Sequence, residues 1–499
     1  MTSWAEPTGR PLLRRTEVVL RPDPSRVITK LFLPGQEVLI RGDSRATPVL
    51  ARILRLSESQ VEQSLADTLA AFAGRHHDLE AVLAARFEEV APRLDSPESL
   101  TAARRLLVGA FFTMEYAVEA AALFNPSMVP HPDQGGLAAG ALRFVLTLRA
   151  VGEGHISSLE LRSGTVDRDG RVDVDPARAP TVLPTRIPTV YAKEVFVQHY
   201  GRRRPDGESA QFVLDRLPDR FDRAQLDEAL AALQTQTATR GPVLGTVERF
   251  EWMADSTYSV TFPPDSQLSA RVSHPSGPAE SHGIEDVRMV RHVDSDGVAE
   301  YRGTYTAYSG TRVAPQLVRT ADFVTFHMSQ LAGAAAQNKG LALFPRPVAG
   351  QDLALSRFDR ESITLAASTG HRWEPVGTVQ QPGLAWDLVQ LGNCGAPIET
   401  PRGWLVLTHG VGPLRRYVLG AVLLDLDDPR RVRGVLPEPL LVADDEERTG
   451  YVPNVVYSCG ALRHRDLLVL PYGCSDSAVR IAVVDLPGLL DALEATRRR

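Results

Sequence analysis

The sequence contains few cysteines and no long apolar segment. Its 499 residues include only three cysteines, and no two of them form a Cys-x-x-Cys pair. A disulfide framework or a structural zinc site is therefore not expected, and a reducing cytoplasmic compartment fits. Glu115 and Glu119 interrupt residues 106–124, so no apolar run approaches the roughly 18 residues of a membrane span. The first residues lack the basic and apolar pattern of a secretory signal, and we expect none.

The chain also lacks an excess of positive charge. Lys plus Arg total 55 and Asp plus Glu total 61, which gives a net charge of −6. We therefore expect neither sequence-independent binding to nucleic acid nor attachment to an anionic membrane. The sequence has no Walker phosphate loop, no Gly-x-Ser-x-Gly elbow and no His-Glu-x-x-His helix. The last two absences disfavour serine hydrolases and zinc proteases.

Three helices are predicted in residues 57–124. Ser57 and Gln60 have the spacing of a capping box before an apolar-periodic stretch. Pro97 occupies the favoured first position of a helix that we expect to run to about Leu123. These helices, together with brief strand-like alternation before them, predict an N-terminal arm and helical extension.

The extension is expected to span residues 1–120, and a second domain is expected to span residues 121–499. The second domain has β-type patterns throughout most of its length. It contains an insertion at about 180–250, in which residues 220–236 form a fourth helix candidate.

Five segments of the second domain share one plan, a short apolar strand that ends in a polar or aromatic residue before a loop and another strand. They are Phe144–Arg149, Arg302–Tyr308, Leu353–Arg357, Trp404–His409 and Leu467–Tyr472. The last four begin 51 to 63 residues apart, close to the length of a propeller blade. The predicted fold class is mainly β, a five-bladed β-propeller with an N-terminal α-helical segment. An irregular β-sandwich is the alternative.

Polar side chains end four of these strands. In a propeller the innermost strands line a central channel, so the ends of such strands converge on one pocket. The converging side chains would be Arg149, Arg357, His409 and Tyr472. A polar, partly cationic pocket of this kind suits an anionic or polyhydroxylated small ligand.

Several polar residues have both a functional and a structural interpretation. Asp286 lies beside a second carboxylate and an arginine, as expected for a catalytic acid or for a surface ion pair. Lys339 is either a phosphate ligand or a solvated lysine before a strand. His409 precedes glycines that would allow close approach of a ligand, but it also fits a core histidine. Asp476 is either a ligand for hydroxyl groups or a turn residue.

Taken together, these segments resemble glycoside hydrolase family 130, the β-mannoside phosphorylases and related mannosidases. The matching pieces occur in family order over roughly residues 121–490 and are Phe124–Val129, Leu148–Ala150, Gly283–Arg288, Tyr305–Ala307, Asn338–Pro345, Leu355–Arg357, Gly403–Val411, Leu423–Pro429 and Pro471–Asp476. The resemblance implies the five-bladed propeller of that family. Residues before 120 lie outside its usual catalytic core and resemble a long-form extension.

The resemblance places Asp286 at the position of the catalytic acid, although Val287 stands where the family's Glu-Asp-Pro-Arg motif has proline. In the phosphorylases of the family, this acid passes a proton through the 3-hydroxyl of the mannosyl ring to the glycosidic oxygen. Inorganic phosphate attacks the anomeric carbon from the opposite face, and inversion gives α-mannose 1-phosphate. The resemblance also implies phosphate ligands Arg312, Arg319, Lys339 and His409, and substrate ligands Asn125, Arg149, Arg357 and Asp476.

Three functions stay open at this point. Phosphorolysis is favoured because Lys339 and His409 are both present. An inverting mannosidase would need a carboxylate that activates water roughly 6.5–9.5 Å from the acid, and Glu361 and Glu399 are the candidates. A propeller that binds glycans or a protein without catalysis is the third alternative. We expect no metal and no cofactor other than phosphate as co-substrate, and a homo-oligomer is an open alternative to a monomer.

Overall fold

Short apolar strands make up most of this protein, whose structure is a computed structural model. It describes residues 12–34, 45–177, 180–200, 207–235 and 243–496, so the predicted domain limits at residues 1 and 499 lie outside the described residues. Five sets of four antiparallel strands, here named units 1 to 5, contain most of the sheet structure. The prediction of a mainly β fold is therefore confirmed.

The units follow one another along the chain. Unit 1 consists of Ala122–Pro130, Leu142–Val151, Ser157–Val166 and Val172–Val174. Unit 2 consists of Gly283–Val293, Ala299–Tyr308, Val313–Thr320 and Thr325–Gln330. Unit 3 consists of Ala342–Leu343, Leu353–Ser356, Ile363–Thr369 and Arg372–Gln380. Unit 4 consists of Gln390–Asn393, Gly403–Val411, Tyr417–Leu424 and Val432–Val435. Unit 5 consists of Val456–Tyr457, Leu467–Cys474, Ala478–Asp485 and Leu13–Leu20.

Further short strands extend these units. A single parallel pair, Gly283 with Ser157, joins units 1 and 2 into one eleven-stranded sheet. The other strands of that sheet are Thr185–Ile187, Tyr258–Thr261 and Val272–Ser273. The remaining edge strands are Ile398–Thr400 on unit 4 and Leu462–His464 on unit 5. Two-stranded ribbons pair Val27–Leu31 with Thr113–Ala117 and Tyr191–Ala192 with Arg220–Phe221.

Four of the five predicted segments lie within the second strand of a unit, and the fifth, Leu353–Arg357, extends one residue beyond the strand Leu353–Ser356. The predicted segment 144–149, for example, lies within Leu142–Val151, and the segment 404–409 lies within Gly403–Val411. The repeated strands are therefore confirmed. They are not the first strands of the units, however, and the first strands of units 1 and 2 contain Asn125 and Asp286.

The strand Leu13–Leu20 belongs to unit 5 rather than to the helical extension. Leu13 pairs with Val484 and Leu20 pairs with Val479, which completes the fourth strand of the unit. Leu13 packs on the core between units 4 and 5, and Val18 and Leu20 pack on the core between units 5 and 1. The predicted division at residue 120 therefore separates this strand from the sheet that contains it.

Apolar side chains at alternate strand positions pack between neighbouring units. Five core clusters unite units 1 and 2 (Leu161 with Val287), units 2 and 3 (Leu317 with Leu343), units 3 and 4 (Leu355 with Val406), units 4 and 5 (Leu405 with Leu468), and units 5 and 1 (Ile481 with Leu146). Burial of side chains of this size contributes roughly 1.5–3 kcal/mol each. Every unit thus packs against two others, and the last cluster contains residues of the last unit and the first.

The helices of the N-terminal extension are Ala46–Leu54, Glu58–Phe72, Leu79–Val90 and Ala102–Phe111. The predicted capping box is confirmed, because Gln60 donates its backbone N–H to the Ser57 side chain and accepts from the Ser57 backbone. The helix predicted to reach Leu123 was wrong in its length. Pro97 begins only one turn of 3₁₀ helix, and the α-helix ends at Phe111 because the next residues pair with Val27–Leu31.

The insertion folds around a core of its own. Its helices are Lys193–Tyr200, Gly207–Leu214, Arg223–Gln234 and Val243–Asp255. The prediction of a helix at 220–236 is confirmed by Arg223–Gln234, which begins with a capping box at Asp222 and Gln225, whereas residue 236 lies outside the described residues. The remaining α-helix, Leu486–Ala495, packs on units 4 and 5. Among the described residues, no helix has the length and apolar character that crossing a membrane requires.

Four buried ionisable side chains attach the extension to unit 1. Arg26 and Arg162 each contact both Glu119 and Glu160, at N–O distances of 2.5 to 2.8 Å. Arg26 precedes the ribbon of the extension, whereas Glu160 and Arg162 lie in unit 1. Loss of one member would leave an uncompensated buried charge, which costs several kcal/mol.

Replacement of Glu160 by alanine should therefore lower the free energy of unfolding by about 3–5 kcal/mol. Denaturant unfolding followed by circular dichroism measures this change. The control is Asp227→Ala, which removes an exposed pair with Arg223 and should change stability by less than about 0.5 kcal/mol. A loss below 1 kcal/mol for Glu160→Ala would contradict the role of this cluster.

Candidate active site

Two β-bulges bring Asn125 and Asp286 together. In unit 1 the strand pairing shifts by one residue between Phe124 and Ser127, and in unit 2 it shifts between Glu285 and Arg288. Asn125 has φ 48° and Asp286 has φ 57°, which is the left-handed region that non-glycine residues rarely adopt. Such strain costs of order 1 kcal/mol or more and concentrates at functional sites. A bulge also redirects the side chain that it carries.

Asn125 binds Asp286 directly. The Asn125 Nδ2 donates to Asp286 Oδ1 at 2.6 Å, and both residues are buried. Among the described residues, Asn125 Oδ1 has no hydrogen-bond partner. An unpaired buried acceptor of this kind can accept a hydrogen bond from a ligand hydroxyl.

A chain of alternating charges continues from Asp286. Arg149 donates from Nη1 to Asp286 Oδ1 at 3.1 Å and from Nη2 to Glu285 Oε1 at 2.5 Å. The other oxygen of Glu285, Oε2, accepts from Lys339 Nζ at 2.5 Å. Arg149 also donates from Nε to Ser157 Oγ at 2.9 Å and lies over the ring of Phe124. The structure thus brings together the predicted residues Asn125, Arg149, Asp286 and Lys339, and adds Glu285 between two of them.

The charges around Asp286 determine its ionisation. Burial by itself would raise the pKa of Asp286, but the positive charges of Arg149, Lys339 and Arg288 and the hydrogen bond from Asn125 hold it well below its usual range. Asp286 is therefore a carboxylate in this arrangement at neutral pH. Burial and the charge of Asp286 have the opposite effect on the neighbouring Asp476, whose pKa they raise to about 6.

Arg288 holds the backbone at Asp286. Its Nη1 donates to the Asp286 carbonyl at 2.8 Å, its Nε donates to the Cys394 carbonyl at 2.9 Å, and its Nη2 donates to Tyr457 Oη at 2.8 Å. These three acceptors belong to or adjoin units 2, 4 and 5. Val287 packs in the core between units 1 and 2. Asp286 and Arg288 therefore both reach the site, although Val287 stands between them where the family motif has proline.

Arg357 and His409 form a second pair. Arg357 Nη1 donates to His409 Nε2 at 2.9 Å. Burial, followed by the charge of Arg357, holds the pKa of His409 well below its usual range, so the imidazole is neutral. Gly392 makes room for the pair, because a Cβ there would lie 2.5 Å from the His409 ring and 2.6 Å from Arg357 Cδ. His409 also contacts the ring of Tyr457, with 4.8 Å between centroids.

The remaining predicted residues differ in their positions. Arg312 is exposed in the turn between the second and third strands of unit 2, at the end of the unit where Gly283 pairs with Tyr308. Arg319 lies towards the other end of its strand, where it pairs with Glu300 at 3.1 Å. The structure brings neither arginine into contact with Asp286, and their assignment to phosphate stays a prediction.

Tyr472 was expected in the pocket, and this was wrong. It lies in the core between units 4 and 5 and donates its hydroxyl to Glu447 at 2.6 Å. Alternate side chains of a strand face opposite sides of the sheet, and Tyr472 is on the side that packs against unit 4. Tyr457 does contact Arg288 and His409. No sequence motif pointed to it.

The two carboxylates considered as hydrolytic bases lie at opposite ends of the units. Glu361 is exposed in the loop after Arg357. Glu399 pairs with Arg346 at 2.6 Å and lines a cavity of about 350 Å³ with Met289, Arg291 and Arg463. This cavity lies at the ends of the first strands of units 1 and 2 that are remote from Asn125 and Asp286. All five units, or the segments that adjoin them, contribute to its lining.

Known proteins share this sequence pattern. Residues 265–495 match the family model Glyco_hydro_130, described as beta-1,4-mannooligosaccharide phosphorylase. A beta-1,2-mannobiose phosphorylase of Listeria innocua is 32% identical over 235 residues, which cover 44% of this chain and 63% of that protein. A 1,2-beta-oligomannan phosphorylase of Thermoanaerobacter sp. is 30% identical over 213 residues, which cover 42% of this chain and 70% of that protein.

A solved structure was also similar. The beta-1,2-mannobiose phosphorylase of Listeria innocua in complex with beta-1,2-mannobiose superimposes with a TM-score of 0.46 and 22% sequence identity, covering 76% of this chain and 93% of that one. This chain belongs to glycoside hydrolase family 130.

Proposed function

We propose that this protein is an inverting phosphorylase that cleaves a β-mannoside with inorganic phosphate and forms α-mannose 1-phosphate. The observation that carries the proposal is the charge chain from Asp286 through Arg149 and Glu285 to Lys339. It sets a carboxylate suited to proton transfer within one network with a cation suited to phosphate. The names of the relatives, which are mannobiose and oligomannan phosphorylases, support the same reaction.

Asp286 would supply the proton that the leaving sugar needs on its glycosidic oxygen. In the proposed reaction the bond between the anomeric carbon and the glycosidic oxygen breaks, and a bond to a phosphate oxygen forms on the opposite face. The proton of Asp286 passes through the 3-hydroxyl of the mannosyl ring to the glycosidic oxygen. Phosphate bound against Lys339 would offset the positive charge that now lowers the pKa of Asp286, which favours the protonated acid.

The other polar groups fit the substrates. Asn125 Oδ1 and the carboxylate of Asp476 are acceptors for sugar hydroxyls, and Arg149 orients Asp286. Arg357 supplies a second cation, with the neutral His409 beside it, and its carbonyl accepts from Asn338, the residue before Lys339. Hydrolysis by Glu399 is disfavoured, because Glu399 is already paired with Arg346 in the cavity remote from Asp286.

We also propose that the five units are the blades of a β-propeller. Two observations support this arrangement. Core clusters connect every unit to two others, including the last to the first. The cavity that contains Glu399 receives residues from all five parts of the chain, as the end of a central channel would.

Phosphate would be a co-substrate, and we propose no further cofactor. A reducing, cytoplasmic compartment is part of the proposal. It is supported by Cys394, Cys459 and Cys474, which are all buried and unpaired.

Replacement of Asp286 by asparagine should lower turnover by about 10²–10⁴-fold, because the amide cannot donate the proton that the leaving group needs. The assay incubates the protein with α-mannose 1-phosphate and mannose, glucose or N-acetylglucosamine as acceptors, and follows the release of phosphate. Thermal unfolding checks that the variant is folded. Full activity of the folded variant would exclude Asp286 as the acid.

Replacement of Lys339 by methionine should raise the KM for phosphate by tenfold or more in the direction of phosphorolysis, because a phosphate ligand is lost. The KM for the mannoside should change much less. The control is Lys193→Met, which removes a lysine in the insertion that donates to the Leu217 carbonyl. An unchanged KM for phosphate in Lys339→Met would refute the assignment of Lys339.

A further inference from the structure

Two ring side chains lie together beside the candidate active site. The rings of His155 and Tyr451 have centroids 5.6 Å apart and planes inclined by 32°. Tyr451 Oη lies 3.5 Å from His155 Nδ1. Tyr451 keeps 61% of its surface exposed, which is unusual for a large aromatic side chain. We name these two residues the ring pair.

Hydrogen bonds fix Tyr451 next to Asp476. The backbone N–H of Tyr451 donates to Ser477 Oγ at 2.7 Å, and that of Val452 donates to the Ser475 carbonyl at 2.9 Å. Ser475 and Asp476 both have left-handed φ angles, of 48° and 50°. Tyr451 therefore lies on a loop that is bound to the turn containing a candidate sugar ligand.

His155 lies on the loop that follows Arg149 in unit 1. This loop connects Leu142–Val151 with Ser157–Val166, and Arg149 is bonded to Ser157 at its far end. The ring pair is thus attached to units 1 and 5. Asn125, Arg149 and Asp476 belong to the same two units or to their turns, whereas Lys339, Arg357 and His409 belong to or adjoin units 3 and 4.

The stereochemistry of the proposed reaction relates these two groups of residues to the two faces of the reacting sugar. In an inverting displacement, the nucleophile and the leaving group lie on opposite faces of the reacting sugar. If phosphate binds towards Lys339 and Arg357, the leaving sugar must depart towards the opposite side. The ring pair is attached to units 1 and 5, which carry Asn125, Arg149 and the turn of Asp476, whereas Lys339 and Arg357 adjoin unit 3.

We propose that the ring pair is the platform on which the leaving sugar binds, and that Tyr451 determines which acceptors the enzyme uses. A pyranose presents an apolar C–H face, which can pack on the apolar face of an aromatic ring. This inference rests on the proposed function, because it takes the direction of phosphate attack from it.

The N-terminal extension supports the platform. Tyr116, in the ribbon of the extension, donates its hydroxyl to the Glu153 carbonyl at 2.7 Å. The next residue, Ala117, donates its backbone N–H to Glu153 Oε1 at 3.1 Å. Glu153 begins the turn that places His155 at φ 61°. The extension therefore holds the loop of the ring pair.

Tyr451→Ala tests the platform in the direction of synthesis, with α-mannose 1-phosphate as donor and the best acceptor. We expect the KM for the acceptor to rise about tenfold and the KM for α-mannose 1-phosphate to change less than twofold. Tyr451→Phe should keep the wild-type values, since the ring remains. The matched control is Leu388→Ala, which removes an apolar side chain of similar exposure, 65%, from the loop before unit 4. An unchanged acceptor KM, or equal increases in both KM values, would overturn the proposal.

A binding measurement separates this proposal from the reaction itself. Saturation-transfer NMR measures binding of the best acceptor among mannose, glucose and N-acetylglucosamine to Asp286→Asn in the presence of excess α-mannose 1-phosphate, with no turnover required. Acceptor binding that disappears in Asp286→Asn/Tyr451→Ala supports the platform. Equal binding to both proteins, or no binding to either, overturns it. Failure of the proposed function would appear separately, as absence of phosphate release by the wild-type protein with every acceptor.

Discussion

The guanidinium of Arg288 is the contact on which the geometry of the site depends. It is fully buried, and its three hydrogen bonds reach the Asp286 carbonyl, the Cys394 carbonyl and the Tyr457 hydroxyl. One cation therefore fixes the bulged backbone of unit 2 against elements of units 4 and 5. Burying a charge without full hydrogen bonding is costly, so the three acceptors must stay in place for the fold to tolerate Arg288. The strained φ of Asp286 is sustained by the same contacts.

Charge balance is the second constraint. Arg149 and Lys339 share the carboxylate of Glu285, and Arg149 also contacts Asp286. The cations therefore keep Asp286 ionised, while Asp476 nearby has its pKa raised to about 6 by burial and by Asp286. Two carboxyl groups a short distance apart thus have opposite tendencies to hold a proton. Such divergence is typical of sites that transfer protons, because each group can then take a separate role.

Local pattern explains much of what the sequence could predict. The second strands of all five units and the cap at Ser57 depend on residues close in sequence, and they were found. The helix expected to reach Leu123 was too long, because pairing with Val27–Leu31 overrides helical periodicity. Strand Leu13–Leu20 pairs with a segment more than 450 residues away, which no local pattern reveals.

The candidate site shows the same division between local and distant information. The resemblance pointed to Asp286, Asn125, Arg149 and Lys339, and these residues form one network. It gave no sign that Tyr472 faces the core, since that depends on which side of the sheet each residue occupies. The Arg288 bonds to Cys394 and Tyr457 join residues more than 100 positions apart. Such contacts follow from packing of the units and not from any motif.

The pairing of Leu13–Leu20 with Ala478–Asp485 sets an order for biosynthesis. A ribosome completes the first of these strands long before it makes the second. Units 1 to 4 can pack in succession as they emerge. The fourth strand of unit 5, however, is Leu13–Leu20, which is far in sequence from the other three strands of that unit. Contacts between such distant segments are formed slowly, because loop closure must precede them. Until then residues 13–20 lack their strand partner, so the nascent chain has a long interval in which chaperone binding can compete with strand pairing.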